Sequence, residues 1–228
     1  SQDIKKELKL YNKNVMITAG PTYESIDAVR FIGNFSSGKM GFALAKTASK
    51  LGANVTLITG PSSENLIDDN IKIINVVTAD QMFAEVKKHF SFSDISIMSA
   101  AVSDYKPKNT VNTKIKKENQ NILSIELVEN IDILKYLGLN KSKEQILVGF
   151  ALETDNEIIN AKSKINKKNL DAIVLNSLRD EGAGFGHDTN KISYINSSGL
   201  IKKFKLKSKD KVSVDIFIEI INDFYEKI

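Results

Sequence analysis

Short, wholly apolar runs alternate with longer amphipathic stretches along most of the chain. No other feature limits the fold as much, because this is the signature of a parallel sheet with helices packed on its faces. Residues 14–18, 54–59, 71–77, 95–101, 146–150 and 171–175 read as strands, most of them of the kind buried on both faces. Residues 40–51 have helical composition and spacing and stop before Gly52, where a left-handed residue belongs. Thr78 and Gln81 bracket a capping box that starts a helix running to about residue 90. Residues 131–137, closing on Gly138, read as a short helix, and residues 155–169 as a longer, lysine-rich one. Residues 191–196 and 200–205 flank a Ser-Ser-Gly turn as an antiparallel hairpin. A last helix lines up Val212, Ile216, Phe217, Ile220, Ile221 and Phe224 on one stripe. The expected fold class is therefore α/β: a Rossmann-like three-layer sandwich with a mostly parallel sheet, a C-terminal antiparallel hairpin and a terminal helix. Residues 1–13, polar and helix-prone, read as a linker or N-terminal extension to a domain of residues 14–228.

Composition narrows the chemistry. A chain of 228 residues with 42% hydrophobic side chains can build a core without disulfides or a structural metal. With no Cys it has no thiol nucleophile, zinc ribbon or iron–sulfur cluster, and it suits a reducing cytosol. Two His, His89 and His187, argue against a histidine-rich metal site. The net charge of +4 and pI near 9.0 suit anionic small molecules at least as well as nucleic acid. No apolar run approaches the roughly 18 residues that span a bilayer, and the start does not resemble a signal peptide. The expected location is the cytoplasm, with neither membrane nor nucleic acid as partner.

In an open parallel sheet ligands bind beyond the carboxyl ends of the strands, so the segments after Thr18, Thr59, Ala101, Phe150 and Leu175 matter most. The segment from Gly33 to Met40 has P-loop spacing, but Met40 stands where a magnesium-binding hydroxyl is required. What remains is Ser36, Ser37 and Gly38 before a helix. Their place is either an anion site of free N–H groups or an ordinary serine N-cap. Neither Gly20-Pro21 nor Gly60-Pro61 forms a dinucleotide fingerprint, which argues against NAD. Ala100, Ala101 and Asp104 follow a strand. The alanines let a ring or sugar approach the backbone and Asp104 can hold a hydroxyl or a cation, or the aspartate simply caps a turn. Lys106, Lys108, Lys114, Lys116 and Lys117 form an acid-free run, either a phosphate clamp or a solvated face. Lys164 and Lys168 share a helix face. Phe150 at a strand end either stacks on a base or fills the core. Lys202, Lys203, Lys205 and Lys207 read as protection of a sheet edge. His89 reads as a dipole contact at a helix end, and neither histidine has a triad partner in view.

Seven pieces in order, ITAGPTYESIDAVRFIGNFSSGKMGFALA, VTLITGP, AAVSDYKP, KIKK, VENIDIL, GFALET and KKNLDAIVLN, resemble the phosphopantothenoylcysteine synthetase (phosphopantothenate–cysteine ligase) family of coenzyme A biosynthesis. The resemblance implies an enzyme that forms the amide between 4′-phosphopantothenate and cysteine. It would use CTP and Mg²⁺, pass through an acyl-cytidylate and release CMP and pyrophosphate. It implies a homodimer and fusion to, or association with, a flavin-dependent phosphopantothenoylcysteine decarboxylase. By position, Asn34 and Arg30 match the catalytic substrate loop and Lys114 a catalytic lysine on a flap. Met98, Ser99, Ala100, Asp104, Lys114, Ile131, Asp132, Ile133, Leu134, Phe150, Lys164 and Lys168 match the nucleotide site. Ala101 joins Arg30 and Asn34 as substrate-binding, and Asp104 is the metal candidate. The chain departs from the family pattern at Tyr23, Gly33, Ile131 and Leu152. Two rival readings are an ATP-dependent form of the ligase and a non-catalytic nucleic-acid module. The latter would show salt-dependent binding to arbitrary oligonucleotides.

Overall fold

The row of side chains Ile73, Leu57, Ile17, Ile97, Val148 and Ala172 runs across adjacent strands in register and shows how the apolar runs assemble. The computed structural model describes residues 9–117, 122–153, 155–177 and 187–225. Its strands are β1 (Asn14–Ala19), β2 (Tyr23–Ser25), β3 (Phe31–Gly33), β4 (Asn54–Thr59), β5 (Ile71–Asn75), β6 (Ile95–Met98), β7 (Tyr105–Pro107), β8 (Leu127–Glu129), β9 (Ile146–Glu153), β10 (Ala172–Ser177), β11 (Thr189–Asn190), β12 (Ile192–Asn196), β13 (Ile201–Lys203) and β14 (Lys207–Ser208). The helices are α1 (Lys39–Lys50), α2 (Ala79–Phe90), α3 (Ile133–Asn140), α4 (Glu157–Lys167) and α5 (Lys209–Phe224). Eight strands form one sheet in the order β13-β12-β10-β9-β6-β1-β4-β5. The run from β10 to β5 is parallel, and β12 and β13 add the antiparallel hairpin.

The helices split between the two faces, giving the expected three-layer α/β architecture. Val15, Ile17, Leu57, Ile97 and Val148 face Phe42, Leu44 and Ala48 of α1 and Val212, Ile216, Phe217 and Ile220 of α5. Met16, Ile58, Leu147, Ile173 and Leu175 face Met82, Val86 and Phe90 of α2, Ile133 and Leu137 of α3, and Ala161 and Ile165 of α4. Near the start, Leu10 is buried in the first of these layers and its N–H donates to the Leu51 carbonyl at 2.9 Å. Three two-stranded ribbons, β2–β3, β7–β8 and β11–β14, stand outside the main sheet.

Several local expectations need correction. Gly138 does not end the short helix: α3 runs through it, and a Cβ there would lie 1.7 Å from the Lys168 carbonyl oxygen. The glycine thus permits close approach of the loop after α4. That helix starts at Glu157 rather than at residue 155, behind Asn156 in a left-handed conformation. Strand β6 stops at Met98 and β9 continues to Glu153. The hairpin lysines do more than guard an edge. Lys202 pairs with Glu219 at 2.5 Å and Lys207 with Asp215 at 2.7 Å, fastening the hairpin and the chain after it to α5.

Candidate functional site

A cleft of about 680 Å³ opens above the carboxyl ends of β1, β6, β9 and β10. Its floor is made of small residues held by hydrogen bonds across the sheet. The Ser99 hydroxyl donates to the Thr18 carbonyl at 2.6 Å, the Ala100 N–H to the Thr18 hydroxyl at 3.2 Å, and the Ala101 N–H to the Gly20 carbonyl at 2.9 Å. Asn34 crosses this floor, its amide donating to the carbonyls of Ala101 at 3.0 Å and Val102 at 3.2 Å. The segment after Thr59 stays out of the lining. There Gly60 passes so close to the preceding loop that a Cβ would lie 1.6 Å from the Pro21 carbonyl oxygen.

The first turn of α1 forms one wall. Gly38, with φ of 83°, is the N-cap, and no side chain accepts a bond from the first N–H groups. Of the two readings of these serines, the N-cap is absent: the Ser36 hydroxyl accepts only from Gly38 N–H at 3.4 Å, while the Ser37 carbonyl is taken by Ser62. Uncapped N–H groups and the helix dipole leave this turn electropositive. Gly41 lets the helix lie on β1, since a Cβ would come within 2.4 Å of that of Ala19.

On the opposite side of the strand ends, α3 and α4 bring Ile131, Asp132, Ile133, Leu134, Lys164 and Lys168 to the cleft. Both lysines are paired, Lys164 with Glu153 at 2.6 Å and Lys168 with Asp132 at 2.8 Å. Burial opposes ionisation of Asp132. The Lys168 ammonium and the Lys135 N–H outweigh it and hold this carboxyl below the usual range. Two buried amide oxygens in the lining, those of Asn130 and Asn176, have no hydrogen-bond partner among the described residues. The other end of the Asn130 side chain donates to the Ser103 carbonyl at 2.8 Å, which fixes its orientation.

Asn34, Met98, Ser99, Ala100, Ala101, Asp104, Phe150 and the α3–α4 residues are thus brought together in one cleft. Arg30 and Lys114 are not in its lining. Arg30 is bound to the buried Asp27 carboxylate and donates to the Ile115 carbonyl at 3.1 Å, while the Ile115 N–H donates back to Asp27 at 3.0 Å. Lys114, one residue away and exposed, belongs to the loop that joins β7 to β8. Of the acid-free lysine run, Lys106 and Lys108 meet acids from elsewhere, Asp80 and Glu126. Asp104 is exposed, and among the described residues no group of three carboxylates or histidines gathers that could hold a metal. The sequence reading assigned no site role to Asn130 and Asn176, although both lie in the quoted family pieces, and none to Asn190 or Lys209; all four line the cleft, and Lys39 entered only as part of a glycine-rich segment. The Ser208 side chain accepts from Lys211 N–H and caps the start of α5, and nothing in the local sequence says that its first residue shares a cleft with the start of α1, 170 positions earlier.

Comparison with known proteins places this geometry among relatives. The family described as the DNA/pantothenate metabolism flavoprotein C-terminal domain matches residues 10–224. A protein from an unknown prokaryotic organism, named Cysteine/Cysteine sulfinic acid decarboxylase, is 49% identical over 215 residues, covering 94% of this chain and 60% of that protein. The Coenzyme A biosynthesis bifunctional protein CoaBC of Bacillus subtilis strain 168 is 46% identical over 211 residues, covering 92% of this chain and 52% of that one. The chain therefore spans between about half and 60% of the curated relatives it matches. A crystal structure of the C-terminal domain of CoaBC has a TM-score of 0.79 at 37% identity, covering 93% of this chain and 96% of that one.

These findings correct the narrower expectation. The resemblance to phosphopantothenoylcysteine synthetase had implied a ligase using CTP and Mg²⁺. Yet the matching family is described as a flavoprotein domain, and a 49%-identical relative is named a decarboxylase, so similarity at this level does not single out a ligase. The synthetase identification and the CTP-dependent ligation, with its nucleotide and metal, are overturned by these matches.

Proposed function

We propose a function from one premise, that this chain belongs to the family of DNA/pantothenate metabolism flavoprotein C-terminal domains: the cleft binds a phosphorylated small molecule of coenzyme A biosynthesis, of the mononucleotide or phosphopantothenate class. The observation that carries this reading is a cleft lined by four lysines, Lys39, Lys164, Lys168 and Lys209, beside the uncapped first turn of α1. The unpaired amide oxygens of Asn130 and Asn176, both in lining residues, are buried, so a ligand's donor reaches them only as the side chains turn toward the cleft, and the about 1–3 kcal/mol that a lone buried acceptor costs then favours the ligand. The cations and the uncapped turn of α1 suit its phosphate.

In this proposal the backbone of Met98, Ser99, Ala100 and Ala101 receives the flat or sugar part of the ligand, and Asp104 holds a hydroxyl. Phe150, Ile131, Ile133 and Leu134 supply the apolar wall. Asn34 fixes polar groups over the floor. Lys164 and Lys168 exchange Glu153 and Asp132 for phosphate oxygens, and Arg30 and Lys114 act from the neighbouring loops. The cleft volume and its apolar wall admit the ring of a flavin, so flavin mononucleotide belongs to the class to be tested. No described helix is long and apolar enough to cross a membrane, and a cytoplasmic location is part of the proposal. So are a homodimer and attachment to a decarboxylase domain. The bifunctional name of the relatives supports the attachment, and the 93%-exposed Phe35 beside Asn34 supports the pairing.

Calorimetry with flavin mononucleotide, nucleoside monophosphates and 4′-phosphopantothenate tests the reading. At least one should bind saturably, and Lys168→Met should weaken it about tenfold through loss of a charge-assisted hydrogen bond. A folded protein that binds none of them overturns the proposal.

A further inference from the structure

Lys209 is a buried cation that neither the family resemblance nor the sequence reading assigns. It is the first residue of α5 and only 8% exposed, and it lines the cleft. Its ammonium donates to the His187 carbonyl at 2.6 Å, and among the described residues no carboxylate comes within ion-pair distance of it. Its own N–H donates to the Asp188 carbonyl at 3.0 Å. Asp188 in turn binds the Lys39 ammonium from the first turn of α1. Residues 187 and 188 thus gather both lysines at one end of the cleft. The β11–β14 ribbon, which pairs Thr189 with Ser208 and Asn190 with Lys207, holds that arrangement in register.

The charges at this end do not balance where they are buried. Asp188 serves Lys39, and its side chain is 84% exposed, so water screens it. Burial, and then the Lys39 charge, push Lys209 below the ordinary lysine range, with Asp188 and Glu64 opposing. An ammonium buried beside a second cation is costly unless an anion joins it. The cleft is where such an anion can enter.

We propose that Lys209 and Lys39 form a phosphate subsite at the α1–α5 end of the cleft, separate from the Lys164–Lys168 end across the strand tips, and that it takes a phosphate or pyrophosphate group. Lysines at both ends of one cleft, those at the far end able to exchange Glu153 and Asp132 for a ligand's oxygens, suit a ligand with two anionic groups, or two ligands held side by side. The inference deepens the proposed function and rests on it only in taking the ligand to be anionic.

The test uses the whole chain with inorganic phosphate and pyrophosphate as probes, titrated by calorimetry at low salt. Wild type should bind pyrophosphate, and Lys209→Met or Lys39→Met should each weaken binding about tenfold or more, with Lys209→Arg restoring most of it. Lys87→Met, on the exposed side of α2, should bind as wild type does. Absence of binding by wild type, or equal binding by a folded Lys209→Met protein, overturns the subsite. If Lys209→Met fails to fold, the more exposed Lys39→Met decides by the same criterion. Pyrophosphate binding that depends on Lys209, with no binding of nucleotides or phosphopantothenate, would uphold the subsite and remove the broader reading. Binding of those ligands with affinity unchanged in both variants would do the reverse.

Discussion

Replacing Asp27 by asparagine removes one charge and keeps the shape, so it isolates what this carboxylate does. Asp27 accepts from the N–H groups of Val29 and Arg30, both at 2.8 Å, and of Ile115 at 3.0 Å, besides the Arg30 guanidinium. The guanidinium, against the opposing effect of burial and helped by those N–H groups, holds the carboxyl far below its usual range. A carboxyl depressed in the folded state contributes stability that is complete above its unfolded value of about 4 and is lost as pH falls toward the folded value. Thermal unfolding should therefore show wild type losing stability below about pH 4. Asp27→Asn should start lower at neutral pH and fall less on acidification. Equal slopes in the two proteins would exclude Asp27 as a contributor. No local pattern pointed to this residue, because one of its partners lies 88 positions away. The same holds for Lys209 and Lys39, which meet only through residues 187 and 188.

Secondary elements were far more legible than such pairs. The capping box at α2 formed as spaced: the Thr78 hydroxyl accepts from Gln81 N–H and the Gln81 side chain accepts from Thr78 N–H. Thr78→Ala should cost about 1 kcal/mol, read from the midpoint of chemical unfolding at unchanged slope. A loss near zero would mean that the buried Glu24, whose carboxylate accepts from Ala79 N–H at 2.9 Å, secures the helix start alone. Periodicity found the strands because each buried strand records its surroundings in its own residues. It misplaced the end of α3 because a glycine read as a stop was present for packing. It also overlooked the ribbons β2–β3 and β7–β8, whose strands of three residues are too short to show a period.

For the molecule as a whole, a ligand that binds only the folded state raises stability by RT ln(1 + [L]/Kd), about 2.7 kcal/mol at a hundredfold excess over Kd. Pyrophosphate should thus raise the unfolding midpoint. The rise should shrink with added sodium chloride as the lysines are screened, whereas a rise indifferent to salt would contradict charge as the source of affinity. The packing of α5 on α1, sealed by the hydrogen bond of 2.6 Å between the Thr47 and Ser213 hydroxyls, adds a consequence for synthesis. The last helix both completes a core layer begun by the first strand and brings Lys209 to Lys39. A chain still emerging from the ribosome without that helix has most of its sheet but only half of this anion site. Anion held between Lys39 and Lys209 therefore stabilises the chain only once α5 has docked on α1, so protection from that end of the cleft begins with this helix and not with the sheet.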